Sequence, residues 1–181
     1  MDRRFTRCSG ETLATPSDLI VLTTIAGGGL AAAAIDVRTR RVPNLLTASL
    51  AAAGVAFAVA GIGRLTIAGS IAGIAIGFGL MLPGHLFGAT GAGDVKLMAA
   101  VGAVVGPATV VTAFLFTAVA GGVLAVVVAK RRGRLAATIA QTGKLIAASE
   151  AGNPIRSAPQ AHRFAYGPAI AVGSVLATLV K

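Results

Sequence analysis

The sequence predicts an all-α membrane protein, a polytopic bundle of about six transmembrane helices. Residues of the AVILMFWYC set make up 55% of the 181 positions, and 24 glycines add to them, whereas an ordinary globular domain reaches about 45–50% with glycine included. The mean hydropathy is +0.83 and charged residues are only 12%, too few for the polar surface of a soluble fold. Long apolar runs recur between charged, glycine and proline positions, which is typical of a chain crossing a bilayer several times.

Six apolar runs follow one another along the chain, at about 19–35, 45–62, 65–82, 95–105, 108–129 and 164–180. The first run is interpreted as a retained helix, because it is longer than the roughly 7–15 apolar residues of a cleaved signal peptide. All six runs fit a single integral-membrane domain, 1–181, with an N-terminal tail at 1–17. In the third run, glycines at 69, 73 and 77 have the small-residue spacing that allows close helix packing in lipid.

The polar segment 130–163 is a basic loop expected on the cytoplasmic side. Apolar residues in it recur at helical spacing, which predicts a helix lying on the inner leaflet; a solvated loop is an equally good interpretation. Lysine and arginine accumulate in cytoplasmic loops of membrane proteins. With six spans and the N-terminus outside, 11 of the 16 lysines and arginines lie inside, so this orientation is expected.

The net charge of +10 does not indicate nucleic-acid binding, because the cations lie in short clusters between apolar runs and aromatic residues are few. A single cysteine, Cys8, excludes an internal disulfide. Two histidines, His85 and His162, are too sparse to predict a zinc site. We therefore expect no metal and no cofactor; the expected partners include the lipid bilayer, and the oligomeric state stays open.

Two of the six acidic residues, Asp36 and Asp94, are attached to apolar segments. The first ends the first span, and the second follows a helical hairpin that returns the chain to the same side. From Asp94 to Val105 a helix rises only about 18 Å, less than the roughly 30 Å of a bilayer core. The glycine-rich loop before Asp94 is therefore expected to lie partly within the membrane.

Neighbouring carboxylates can divide acid and base roles in hydrolysis. In aspartic proteases two such groups share one proton, so that one activates water and the other polarises a carbonyl. Two other interpretations stay open on the residues alone. Asp94 could cap a helix while Asp36 pairs with nearby arginines, or the pair could couple transport of a proton or cation.

Three motifs resemble those of the type IV prepilin peptidase family. The sequence contains "DVRTRRVPN" around Asp36, "GAGDVKLMAAVG" around Asp94 and "RFAYGPAIAVG" at the last span. The resemblance implies an intramembrane aspartic endopeptidase of the inner (plasma) membrane. Such an enzyme removes the basic leader of prepilins or pseudopilins at the cytoplasmic face of that membrane. The resemblance assigns catalysis to Asp36 and Asp94, and motif or supportive roles to Gly91, Gly93, Lys96, Pro43 and Asn44.

One departure from the larger members of that family is the length of the first inner loop, about eight residues without cysteines. The resemblance therefore implies the minimal peptidase form, without the methyltransferase segment, as in Tad/Flp pili. We further expect Gly88, Gly91 and Gly93 to give the loop φ freedom, so that Asp94 moves toward Asp36 when a substrate helix docks. A non-catalytic assembly subunit is a further alternative.

Overall fold

The computed structural model describes residues 16–39, 42–62, 65–86, 90–131 and 166–180. Within these ranges all regular secondary structure is helical, which confirms the predicted all-α membrane bundle. The six helices are α1 Pro16–Thr39, α2 Asn44–Ala60, α3 Ile67–Leu86, α4 Ala92–Val105, α5 Pro107–Arg131 and α6 Gly167–Leu179. Most of the predicted N-terminal tail and nearly all of the predicted interfacial helix in 130–163 lie outside the described residues.

Three helices are long and apolar enough to cross a membrane alone, Pro16–Thr39, Ile67–Leu86 and Pro107–Val127. The other three are shorter, at 17 residues for α2, 14 for α4 and 13 for α6. At 1.5 Å per residue, α4 is about 21 Å long. The bundle therefore combines three full-length apolar helices with three shorter ones.

The shortness of α4 is compatible with its central position. From Val95 to Val105 every residue except Lys96 is buried, because α4 packs between α2 and α3, while α6 packs between α1 and α5. A helix enclosed by protein has its side chains covered by neighbours rather than by lipid. A helix in this position can therefore be shorter than a span that faces lipid.

Small residues allow this close packing. On α3 the face toward α4 consists of Ser70, Gly73, Gly77 and Met81. A Cβ atom on Gly73 would strike the carbonyl oxygen of Gly102, and one on Gly102 would strike that of Gly73. The hydroxyl of Ser70 donates a 2.8 Å hydrogen bond to the carbonyl of Ala103. The predicted close approach of the third span is therefore present.

Gly69 does not belong to this interface, contrary to the predicted stripe. Space for a Cβ at Gly69 is limited only by Thr66 and Leu65, which precede it in its own chain segment. A spacing of four residues drifts around a helix of 3.6 residues per turn. Ser70 therefore replaces Gly69 on the buried face.

The alternating course of the helices collects six helix ends on one side of the bundle. The C-terminal ends of α1, α3 and α5 lie there with the N-terminal ends of α2, α4 and α6. We call this side the aspartate end, because Asp36 and Asp94 are both found on it. At the opposite side, Gly61 (φ 68°) and Gly106 (φ 85°) end α2 and α4 with backbone angles that favour glycine.

Candidate functional site

Asp36 lies in the last turns of α1 with only 5% of its surface exposed. Its Oδ2 accepts a 2.9 Å hydrogen bond from the backbone N–H of Gly167, 131 residues away at the start of α6. A Cβ on Gly167 would lie 3.0 Å from both Cβ and Oδ2 of Asp36. Glycine at this position therefore lets the backbone donor reach the carboxylate.

Asp94 lies in the first turn of α4 and is 6% exposed. Its Oδ2 accepts a 3.0 Å hydrogen bond from the backbone N–H of Gly91, the residue that precedes the helix. This N–H has no acceptor within the helix, and a negative charge here interacts favourably with the helix dipole. The capping role considered from the sequence is thus present, and it fixes the orientation of the carboxylate.

The start of α4 is held against the α1–α2 connection, which brings Asp94 to the same end of the bundle as Asp36. A Cβ on Gly93 would lie 3.1 Å from Cβ of Val42. In the same region the Nζ atom of Lys96 donates a 2.9 Å hydrogen bond to Oδ1 of Asn44. Helices α1 and α4 are also in contact. The topology predicted for the two aspartates is therefore found.

Tyr166, immediately before α6, belongs to the surroundings of both carboxylates. It is the neighbour of Gly167, which binds Asp36. Its phenol lies within electrostatic reach of Asp94: burial and the negative charge of Asp94 both raise the pKa of Tyr166. Neither Tyr166 nor Gly167 was assigned a site role from the sequence, although both stand in the quoted "YGPA" motif.

Lys96, Asn44 and Pro43 lie beside the start of α2. Pro43 is the residue before α2, and its carbonyl accepts the N–H groups of Leu46 and Thr47. Lys96 and Asn44 border a groove of about 310 Å³ between α2 and α3, whose floor is α4. Two residues apart on a helix, Asp94 and Lys96 point about 200° apart. Lys96 therefore points away from Asp94, and its hydrogen bond to Asn44 connects α4 to α2.

Gly91 and Gly93, two of the three glycines expected to give the loop φ freedom, each lie close to a neighbouring side chain. Gly91 is extended at φ −78° and Gly93 lies inside α4, so other residues could adopt both conformations. What limits both positions is space: a Cβ on Gly91 would lie 3.3 Å from Oδ2 of Asp94, and Gly93 faces Val42 at 3.1 Å. In this structure neither position has a φ that only glycine adopts, and the expected movement of Asp94 toward Asp36 stays a prediction. Gly88 lies outside the described residues.

His85 contacts the backbone just before α4. Its Nδ1 lies 3.1 Å from the carbonyl oxygen of Thr90, and the N–H of Thr90 donates to the carbonyl of Gly84. Among the described residues, no group of three or more His, Cys, Asp or Glu side chains could hold a metal ion. His162 is outside the described ranges.

Comparison with known proteins identifies the family. The model of the type IV leader peptidase family matches residues 23–126, which contain Asp36, Asp94 and all of α2, α3 and α4. No curated protein and no solved structure matches the chain. The match covers more than half of the 181 residues and favours a peptidase over a transporter. The chain therefore belongs to the type IV leader peptidase family.

Proposed function

We propose that this protein is an intramembrane aspartic endopeptidase that removes the basic leader peptide of type IV prepilin-like substrates, of the Tad/Flp or pseudopilin kind. Cleavage takes place at the cytoplasmic face of the inner membrane. The observation that supports this most directly is the placement of two buried carboxylates, Asp36 and Asp94, at one end of a bundle. Both belong to the segment that matches a leader peptidase family.

The chemistry follows from the proton that such a pair shares. One carboxylate is ionised and accepts a proton from a water molecule, whose oxygen attacks the carbonyl carbon of the scissile peptide bond. The protonated partner donates its proton to the carbonyl oxygen. Collapse of the tetrahedral intermediate then breaks the C–N bond, and the leaving nitrogen takes up a proton. No cofactor is needed for this sequence.

The backbone contacts explain how the pair is kept ready for this chemistry. Each carboxylate has one oxygen held by a backbone N–H, from Gly167 for Asp36 and from Gly91 for Asp94. A catalytic group whose orientation is already fixed loses less entropy in the transition state. Both donors lie at helix starts, so the orientation depends on the ends of α4 and α6.

The depth of the site is part of the proposal. Helix α4 is shorter than the hydrocarbon layer is thick, so a helix that reaches the outer surface begins below the inner one. Irregular backbone at that depth is tolerated where protein or a wet cavity surrounds it. The loop before Asp94 would then bring water and the substrate peptide to the carboxylates.

The test is leader removal from candidate prepilins in membranes, followed by the size shift of the product. Asp36→Asn and Asp94→Asn should each abolish cleavage, because an amide can neither accept the proton of water nor share one with its partner. Amounts of the protein in the membrane should be unchanged. Asp18→Asn is the matched control, since Asp18 lies on α1 about 27 Å from Asp36 along the helix.

The proposal is supported if the wild type and Asp18→Asn both cleave the prepilin while Asp36→Asn and Asp94→Asn do not. Cleavage that persists in either Asp36→Asn or Asp94→Asn would contradict a mechanism with two aspartates. Wild-type membranes are also tested with a Tad/Flp prepilin and a pseudopilin, and the protein that is cleaved identifies the substrate class. Wild-type membranes that cleave neither would argue against the substrate class.

A further inference from the structure

The start of α6 contacts three other helices at the candidate site. Gly167 donates its N–H to Asp36 on α1, Tyr166 packs against Gly121 on α5, and the charge of Asp94 on α4 acts on the Tyr166 phenol. These two consecutive residues lie beyond the matched segment 23–126. The two carboxylates therefore share one neighbouring element, and that element comes from a distant part of the chain.

Gly121 determines where the tyrosine ring can lie. A Cβ atom at this position would be 2.5 Å from the phenol oxygen and 2.6 Å from Cζ. Contacts this short do not occur in packed interiors, so any side chain here would displace the ring. The adjacent Gly122 has no atom within 4 Å of the corresponding Cβ position. The two glycines thus provide a matched pair on one helix.

The phenol is suited to act on a carboxylate. Burial and the negative charge of Asp94 raise the pKa of Tyr166 above a usual value of about 10, so the hydroxyl is protonated at neutral pH and is a hydrogen-bond donor. A donor near a carboxylate favours its ionised form. The position of the ring therefore affects the electrostatic surroundings of Asp94.

We propose that Tyr166 is a positioning residue of the peptidase, which, with Gly167, links Asp36 to Asp94 through the start of α6, and that Gly121 provides the space the phenol needs. The catalytic consequence of this inference rests on the proposed function. The packing of Tyr166 on Gly121 and the hydrogen bond from Gly167 to Asp36 do not depend on it. Because Tyr166 and Gly167 are consecutive, a displacement of the ring also moves the N–H that holds Asp36. Disturbance at Gly121 should consequently affect both carboxylates.

The first test measures the electrostatic interaction between Asp94 and Tyr166 without any substrate. Tyr166 is the single tyrosine of a chain without tryptophan, so the phenolate absorbance of the purified protein at alkaline pH reports on this residue alone. Asp94→Asn should move the titration midpoint to lower pH, since removal of a nearby negative charge favours the phenolate. Asp18→Asn should leave it unchanged. Equal midpoints in wild type and Asp94→Asn would overturn the proposal.

The second test separates positioning from general packing. Tyr166→Phe and Gly121→Ala should each lower kcat for leader removal by about tenfold, because a small misplacement of a catalytic group is enough to slow a reaction, with KM little changed. Both should also shift the pH profile of cleavage in the same direction. Gly122→Ala should retain wild-type kcat and pH profile.

The outcomes distinguish this inference from the proposed function. If Asp36→Asn and Asp94→Asn abolish cleavage while Tyr166→Phe and Gly121→Ala keep wild-type kcat and pH profile, the peptidase stands and the positioning role is overturned. If wild type cleaves no prepilin, the proposed function fails, and the tyrosine titration still decides whether Tyr166 senses Asp94. A lower kcat in Gly122→Ala equal to that of Gly121→Ala would also contradict the role.

Discussion

At the scale of single residues, Asp94 both stabilises a helix start and is a candidate catalyst. Its carboxylate accepts the N–H of Gly91, an interaction that near a helix N-terminus is worth about 0.3–1 kcal/mol. The same hydrogen bond holds the side chain in one orientation. An asparagine at this position can still accept that N–H through its amide oxygen, so Asp94→Asn tests the chemistry while leaving the helix start intact.

We expect Gly93→Val to reduce leader removal at least tenfold while membrane insertion is retained. A Cβ at Gly93 would lie 3.1 Å from Cβ of Val42, and overpacking of this kind typically costs about 1–3 kcal/mol. The displacement would move Asp94, the next residue. Membrane fractionation and the size-shift assay measure the two effects. Gly27→Val is the control, because nothing lies within 4 Å of its Cβ position; wild-type cleavage by Gly93→Val would contradict the expectation.

At the scale of helices, α4 owes its position to backbone contact with its neighbours. Glycines on α3 and on α2 allow the approach from two sides: a Cβ on Gly77 would lie 2.5 Å from the carbonyl oxygen of Met98, and one on Gly54 would lie 2.6 Å from the carbonyl carbon of Ala103. Helix association in lipid depends on such van der Waals contact rather than on the hydrophobic effect. The position of Asp94 therefore depends on small residues far from it along the sequence.

Gly73→Ala should destabilise the bundle by about 1–3 kcal/mol, since the added methyl group meets the carbonyl of Gly102, a backbone atom that cannot rotate away. Unfolding of the purified protein by heat or denaturant in detergent measures the change. Gly79→Ala on the same helix is the matched control, as its Cβ position is open, and it should unfold like the wild type. Equal stability of the two variants would disprove the tight α3–α4 contact.

At the scale of the whole molecule, the distribution of lysine and arginine predicts which side of the bundle faces the cytoplasm. The aspartate end carries the α1–α2 connection and the start of the basic segment that follows α5, and 11 of the 16 lysines and arginines are assigned to this side. Cytoplasmic loops carry such an excess. We therefore expect the aspartate end to face the cytoplasm.

Single cysteines at the two ends of α3 test this orientation in a Cys8→Ser background. Leu86→Cys, at an exposed position of the aspartate end, should react with a membrane-impermeant thiol reagent only in inside-out vesicles. Thr66→Cys, exposed before the other end of α3, should react in intact cells. The two positions are about 30 Å apart along the helix. The reverse pattern would place the aspartates on the outer face.

The apolar runs predicted the helices from sequence to within a few residues, for example 108–129 for Pro107–Arg131 and 45–62 for Asn44–Ala60. Hydropathy determines which segments can lie in lipid, and glycine, proline and charged residues mark where those segments end. These are local features, so they can be identified from the linear sequence. The same reasoning brought Asp36 and Asp94 to one end, because a helical hairpin between them reverses the chain twice.

Only the tertiary structure decided which atoms surround the two carboxylates. The N–H of Gly167 reaches Asp36 across 131 residues, Ser70 rather than Gly69 faces α4, and Gly121 accommodates the ring of Tyr166. Such contacts depend on the rotation and separation of helices, which result from the packing of all of them together. The sequence by itself determined the helices and the shared end of the aspartates; the packing of small residues decided how those aspartates are held.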